Sequence, residues 1–180
     1  AGAGRMLPDY FVPIAERSGL IVHLDRWVLR AAAHQLARWS SHPRLGCLRV
    51  AVNVSGRSLL HPTFVDDVER ALEGAGVAPE RLCVEVTETA FVADLEVAAR
   101  HLGRLRALGV RVSIDDFGTG YTSISRVRML PVDELKIDSS FVRHLSDPDE
   151  RLLVQMISDV ATLLGLTTVA EGIESSSHVE

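Results

Sequence analysis

Five short strand-like runs separated by helical stretches limit what this chain can fold into more than any other feature. The runs are Leu48 to Val54, Leu82 to Thr87, Val110 to Asp115, Asp133 to Ile137 and Leu166 to Glu171. Between and before them, His23 to Ser40, Pro62 to Gly74, Asp94 to Leu108 and Asp149 to Leu164 read as helices, with a shorter helical stretch from Ser123. In the first helix Leu24, Trp27, Val28, Ala31, Leu36 and Trp39 fall at helical spacing. Asp94 and Asp149 read as N-caps, and Gly109 and Gly165 as stops. Strands joined through helices pair in parallel, by right-handed crossovers.

Two architectures fit this order, an open doubly wound sheet and a barrel. The alternation inside each strand separates them. In Val110 to Asp115 one phase is Val, Val, Ile and the other Arg, Ser, Asp. In Leu82 to Thr87 the phases are Leu, Val, Val and Cys, Glu, Thr. Val50, Val52 and Val54 oppose Arg49, Ala51 and Asn53, and Leu135 and Ile137 oppose Glu134, Lys136 and Asp138. A doubly wound sheet carries helices on both faces, so both phases should be apolar. A barrel turns one phase to the outer helices and the other inward, where polar groups gather at the mouth. The expectation is an α/β, TIM-like (β/α) barrel. Such a barrel has eight strands in roughly 250 residues. The chain's 180 residues hold about five βα units, so the reading is one domain over 1–180 that lacks the first strands and the last strand.

The polar phases end together. Asn53, Glu85, Asp115, Lys136 and Glu171 each lie at or near the C-terminal end of a different strand, with Glu88, Asp116 and Asp138 at or just beyond these ends. Parallel barrels build their sites at that mouth. Lys136 is the only lysine beside 18 arginines, and Asn53 is the only asparagine. Both rare residues fall in this set. Oxygen donors without His or Cys suit Mg²⁺ or Mn²⁺ rather than zinc. Such a set could hold two ions, which clamp the attacking and leaving oxygens of a phosphoryl transfer. A lysine among them could orient water or neutralise charge, and a further Glu could accept a proton. Against this, Glu88 also reads as a loop acid, and Asp138 as a cap for a helix starting at Ser139.

Composition excludes several classes. A net charge of -5 and a pI near 5.8 are unlike a binder of nucleic-acid polymers. Cys47 and Cys83 sit in apolar runs and read as buried free thiols, with neither a disulfide framework nor a zinc site. No signal peptide or 18-residue apolar run is seen, so a cytoplasmic setting is expected, with any anchor lying elsewhere in a parent protein. His34, His101 and His144 read as helix-surface residues. Phe117 to Tyr121 is a glycine-containing loop without the lysine and spacing of a phosphate loop, and reads as a mobile loop at the site.

The series Asp115-Asp116-Phe117-Gly118-Thr119-Gly120-Tyr121, Leu135-Lys136-Ile137-Asp138 and Ala170-Glu171-Gly172-Ile173-Glu174 resembles the EAL-domain family of cyclic di-GMP phosphodiesterases. Asn53-Val54-Ser55, Glu85-Val86-Thr87-Glu88 and Phe11 to Glu16 match further motifs of that family, in its order and spacing. The resemblance implies a TIM-like barrel that hydrolyses cyclic di-GMP to linear pGpG with two Mg²⁺ or Mn²⁺ ions. It implies Asn53, Glu85 and Asp115 on the first ion and Asp115 and Asp116 on the second. Lys136 and Glu171 would hold and activate the attacking water. Glu88 would fix the loop after Asp116, and that loop and the adjacent helix would reach a homodimer interface. Asp138 and Glu174 would serve the substrate. Sensory or GGDEF-type domains are expected in the parent. Thr122 replaces the family's usual Ser. The signature Glu-Ala-Leu glutamate, itself a metal ligand, and a ligand-contacting Gln-Gly strand would lie before residue 1 and after residue 180. The 180 residues alone are therefore expected to be inactive or unstable.

Two other readings stay open on the residues. One is a catalytically inactive module of the same family that only binds cyclic di-GMP. The other is a phosphoacceptor receiver domain, which also uses an acidic pair and a lysine at parallel strand ends, but with the pair after its first strand.

Overall fold

In the computed structural model, residues 6–119 and 124–173 are described. Two helices come first, α1 (Pro8–Ser18) and α2 (Ile21–Ser40). Then follow β1 (Val50–Asn53), α3 (Gly56–Leu59), α4 (Phe64–Ala75) and β2 (Leu82–Thr87). A 3₁₀ turn (Glu88–Phe91) leads to α5 (Leu95–Leu108) and β3 (Arg111–Phe117). The rest is α6 (Ile124–Val127), β4 (Glu134–Ile137), α7 (Ser139–Val142), α8 (Pro148–Leu163) and β5 (Thr167–Ala170).

The five strands form one parallel sheet in the order β1-β2-β3-β4-β5. This unbroken order decides the architecture. A doubly wound sheet reverses its strand order once, which sends helices to both faces. Here every right-handed crossover advances in the same direction, so the helices share one face and the sheet curls into an arc of a TIM-like α/β barrel.

The phases fall as the alternation requires. Val52, Val54, Leu82, Val84, Val86, Val112, Ile114, Leu135 and Ile137 are buried against the helices. All of these but Ile137 meet Leu29 and Leu36 of α2, Val65 and Val68 of α4, and Leu102 and Leu105 of α5 in one core. The opposite phase carries Asn53, Glu85, Asp115 and Lys136, and the ladder pairs Asn53 with Glu85 and Thr87 with Asp115.

Several local expectations need correction. The segment Phe11 to Glu16 lies inside α1, a helix that the apolar periodicity did not mark. In α2 the buried stripe is Ile21, Asp25, Leu29, Ala33 and Leu36, whereas Trp27 is exposed. The stripe turns inward around Asp25, whose carboxylate has partners below it. Cys47 is exposed, because the chain before β1 runs over the surface, and Cys83 is half-buried in the inward phase of β2. His101 is buried, its Nδ1 2.7 Å from the Leu59 carbonyl oxygen, so it ties α5 to the end of α3. Asp94 caps α5 as expected, but α8 is capped by Asp147, which accepts from the Asp149 N–H.

Candidate functional site

The site is built where β2, β3, β4 and β5 end. Lys136, mid-β4 in the inward phase, is its centre. Its Nζ lies 2.5 Å from Glu171, 2.9 Å from Asp115 and 3.1 Å from Glu85, so one ammonium bridges the ends of three other strands. Among the described residues Asp115, Asp116 and Glu171 each offer a carboxylate oxygen within 4.8 Å of the others, an arrangement able to hold a metal ion.

Asp116 reaches this cluster through a distortion. Consecutive strand residues face opposite sides, so Asp115 and Asp116 would diverge in a regular strand. The β3–β4 register instead shifts between Ile114 and Phe117, and Asp116 has φ 54°. It is the one non-glycine residue with positive φ among those described. A bulge re-aims a side chain, and Asp tolerates the left-handed region better than most residues. The local backbone thus converts an adjacent pair into a convergent one.

The electrostatics follow from crowding. Burial raises the Glu85 carboxyl above its usual range, and Asp115 and Glu171 raise it further, against the hydrogen bond and charge of Lys136. Burial also raises Asp116, helped by the charges of Asp115, Asp138 and Glu171. Burial alone would lower Lys136, but the hydrogen bonds it donates to Glu171, Asp115 and Glu85 outweigh it and hold the ammonium above the ordinary lysine value. Asp138 is lowered, chiefly by its hydrogen bond with Ser140 and also by one shared with Asp116.

Two expected site residues hold the frame. Glu88 is buried, and its Oε1 accepts from the Gly118 N–H at 2.7 Å, which pins the loop after Asp116. Gly118 has φ 102°, and a Cβ there would come within 2.8 Å of the Phe141 ring. Asp138 accepts from the Ser140 N–H at 2.9 Å and caps α7, the alternative raised by its position. Asn53 is exposed at the end of β1, beside Glu85 in register. Glu174, Gly120, Tyr121 and Thr122 lie outside the described residues. Burial, with Glu134 and Glu85 nearby, pushes the Cys83 thiol up to about 12, so it is no nucleophile.

Asp25 was missed by sequence reasoning. It is buried on α2, and its Oδ2 accepts from the Ser55 N–H at 3.0 Å and hydroxyl at 2.7 Å. The signal was an acid in an apolar helical stripe.

The family model described as EAL domain matches residues 1–180. The chain belongs to the EAL domain family. It is 43% identical over 179 residues to the cyclic di-GMP phosphodiesterase NbdA of Pseudomonas aeruginosa, covering 98% of this chain and 22% of NbdA. It is 39% identical over 178 residues to the bifunctional diguanylate cyclase/cyclic di-GMP phosphodiesterase MucR of the same species, covering 98% of this chain and 26% of MucR. The solved PaMucR phosphodiesterase in complex with c-di-GMP superposes with a TM-score of 0.88 at 38% identity, over 96% of this chain and 75% of that one. The chain thus spans about a quarter of the curated relatives it matches. The TIM-like barrel is that of its structural neighbours.

Proposed function

We propose that this domain hydrolyses cyclic di-GMP to linear pGpG with two divalent cations, Mg²⁺ or Mn²⁺. One observation carries the reading: three carboxylates, Glu85, Asp115 and Glu171, share a single ammonium, and two more, Asp116 and Asp138, crowd in beside them. A phosphodiester would be repelled from such a mouth, whereas divalent cations on its oxygen donors would make it attractive. The donor set is oxygen-only and includes convergent Asp115, Asp116 and Glu171, which fits Mg²⁺ or Mn²⁺. Asn53, Glu85 and Asp115 would hold one ion, and Asp115 and Asp116 would serve the other. Bound there, the ions supply activation of water and neutralisation of the phosphate.

The remaining work falls to the chain's own groups. Lys136 stays protonated at neutral pH, so it orients the attacking water and balances charge rather than acting as a base. Glu171 is the most open of its partners, with its side chain 32% exposed, and accepts the proton from water. Glu88 positions the loop after Asp116 through Gly118 and does not touch the reacting atoms. Asp138 and Glu174 would meet the substrate, Asp138 from its place beside Asp116 at the start of α7.

The test incubates the complete polypeptide with cyclic di-GMP and Mn²⁺ or Mg²⁺ and follows pGpG by chromatography. Product that disappears on chelation supports the reading. Tight binding without product would show the binding-only module instead.

The same proposal extends to assembly and setting. Ile124 and Met129 are 51% and 65% exposed just after the loop, an apolar edge that suits a homodimer through the loop and adjacent helix. Sedimentation of a Met129→Asp variant as monomer, against a dimeric parent, would support it. The two free thiols suit the reducing cytoplasm, and no described helix is long and apolar enough to cross a membrane. The multidomain MucR supports further GGDEF-type or sensory domains in the parent.

A further inference from the structure

We infer that Asp25, on the outer helix α2, is the positioning residue for Asn53. The inference rests on the reading of Asn53 as a cation ligand. A carboxylate among Ile21, Leu29, Ala33 and Leu36 is costly to bury unless it is fully used. Both of its hydrogen bonds go to one residue, Ser55, through the backbone N–H and the hydroxyl. Ser55 has a single hydroxyl proton, and the carboxylate at 2.7 Å is its strongest acceptor. The hydroxyl oxygen is then left to accept from the Ser58 N–H at 3.2 Å, which caps α3. Asp25 therefore fixes both the direction of the Ser55 side chain and the start of the next helix.

Asn53 is two residues upstream. The Val54 N–H is bonded to the Glu85 carbonyl at 2.9 Å, and Ser55 is clamped by Asp25. The chain beyond Asn53 is thus tied to β2 on one side and to α2 on the other. The Asn53 side chain itself is exposed. Gly56 extends the same frame, because a Cβ there would come 2.9 Å from the Ala90 backbone, in the 3₁₀ turn that begins with Glu88. Removing the clamp frees the end of β1 while the Lys136 cluster keeps its own contacts.

The test compares Asp25→Ala and the milder Ser55→Ala with His101→Gln, which loosens the far end of α3 without touching Ser55. Asn53 is the only asparagine of these 180 residues, so in the ¹⁵N-asparagine-labelled complete polypeptide its signals are identified as those that vanish in Asn53→Ser. Without cations, the Asn53 amide signals are expected to be single and sharp in the parent and in His101→Gln, and broadened or doubled in Asp25→Ala. Mn²⁺ affinity by titration calorimetry is expected to fall about tenfold in Asp25→Ala, less in Ser55→Ala and not in His101→Gln, as for the loss of an outer-shell partner. Unchanged Asn53 signals in a folded Asp25→Ala, or an equal loss of affinity in His101→Gln, would overturn the inference. If Mn²⁺ fails to broaden the Asn53 side-chain signals of the parent protein, the ligand reading falls instead, and the cation-free spectra still decide whether Asp25 holds Asn53.

Discussion

Replacing Lys136 by Met removes the ammonium and keeps an unbranched stem in the same space. Three carboxylates within 3.1 Å then lose their shared counter-charge. Deleting one partner of a buried ion cluster costs about 3–5 kcal/mol. The Glu171 side chain is 32% exposed, so the lower end applies, about 3 kcal/mol without divalent cations. For a chain of this size that is a fall in Tm of about 6–12 °C. The pH dependence has a definite sign. Lys136 is raised above its ordinary 10.5, so its contribution is fully present below that value and is lost only as pH rises through the higher folded value. The deficit of the variant should therefore be flat between about pH 6 and 9. Mn²⁺ supplies positive charge to the same carboxylates, so calorimetric affinity should hold or rise and the Tm deficit should shrink as Mn²⁺ is added. Hydrolysis should not return, because nothing replaces the ammonium beside Glu171. A loss of about 10²–10³ in kcat at saturating Mn²⁺ is expected, as for the removal of one preorganised donor. Turnover within tenfold of the parent, or loss of Mn²⁺ binding, would refute the assignment of Lys136 to charge balance and water placement.

Glu88→Ala should lower kcat more than tenfold and weaken Mn²⁺ binding with it, and Glu88→Gln, which keeps an acceptor for the Gly118 N–H, should recover most of both; equal losses in both would mean that the charge matters rather than the bond. Gly118→Ala forces a side chain into φ 102° and against Phe141, and should cost about 1–3 kcal/mol in urea denaturation. Asp67→Asn should cost about 1–3 kcal/mol at pH 7, because Asp67 accepts from Arg26 at 2.6 Å and from Thr63 at 2.8 Å across α2 and α4. Burial would raise Asp67, but its bonds to Thr63, Arg26 and Arg70 hold it below its ordinary 3.8, so the gap between parent and variant should be full above that value and close as pH falls through the lower folded one. A gap that persists in strong acid would rule out the ion pair as its source.

The fold was largely legible because the strands carry their two phases openly. Val84 and Glu85, or Leu135 and Lys136, could not both face helices, and that excluded the doubly wound sheet before any strand order was known. What misled were residues whose burial is set by a partner far along the chain. His101 on α5 looks like a surface residue until Leu59, 42 positions away, offers its carbonyl. Trp27 looks like a core residue until Asp25 claims the inward direction for Ser55. Periodicity registers polarity, and a buried hydrogen bond reverses it.

The site was legible as a list of residues but not as a geometry. Alternation alone sends Asp115 and Asp116 to opposite faces, which would leave the second carboxylate on the helix side. Only the bulge and the φ of 54° at Asp116 bring the two together. This gives Asp116 two tasks that a single residue type satisfies: it tolerates the left-handed backbone, and it supplies an oxygen beside Asp115 and Glu171. The arrangement carries a cost, since burial and the charges of Asp115, Asp138 and Glu171 all act against ionised Asp116. In the proposed reading cations offset that repulsion. Gly118, two residues on, is held by Glu88, so the backbone turn that aims Asp116 and the loop that follows are fixed by the same short segment. Cation binding and loop placement are then one equilibrium rather than two. In the proposed reading that linkage is how Glu88, acting through Gly118, enters the machinery.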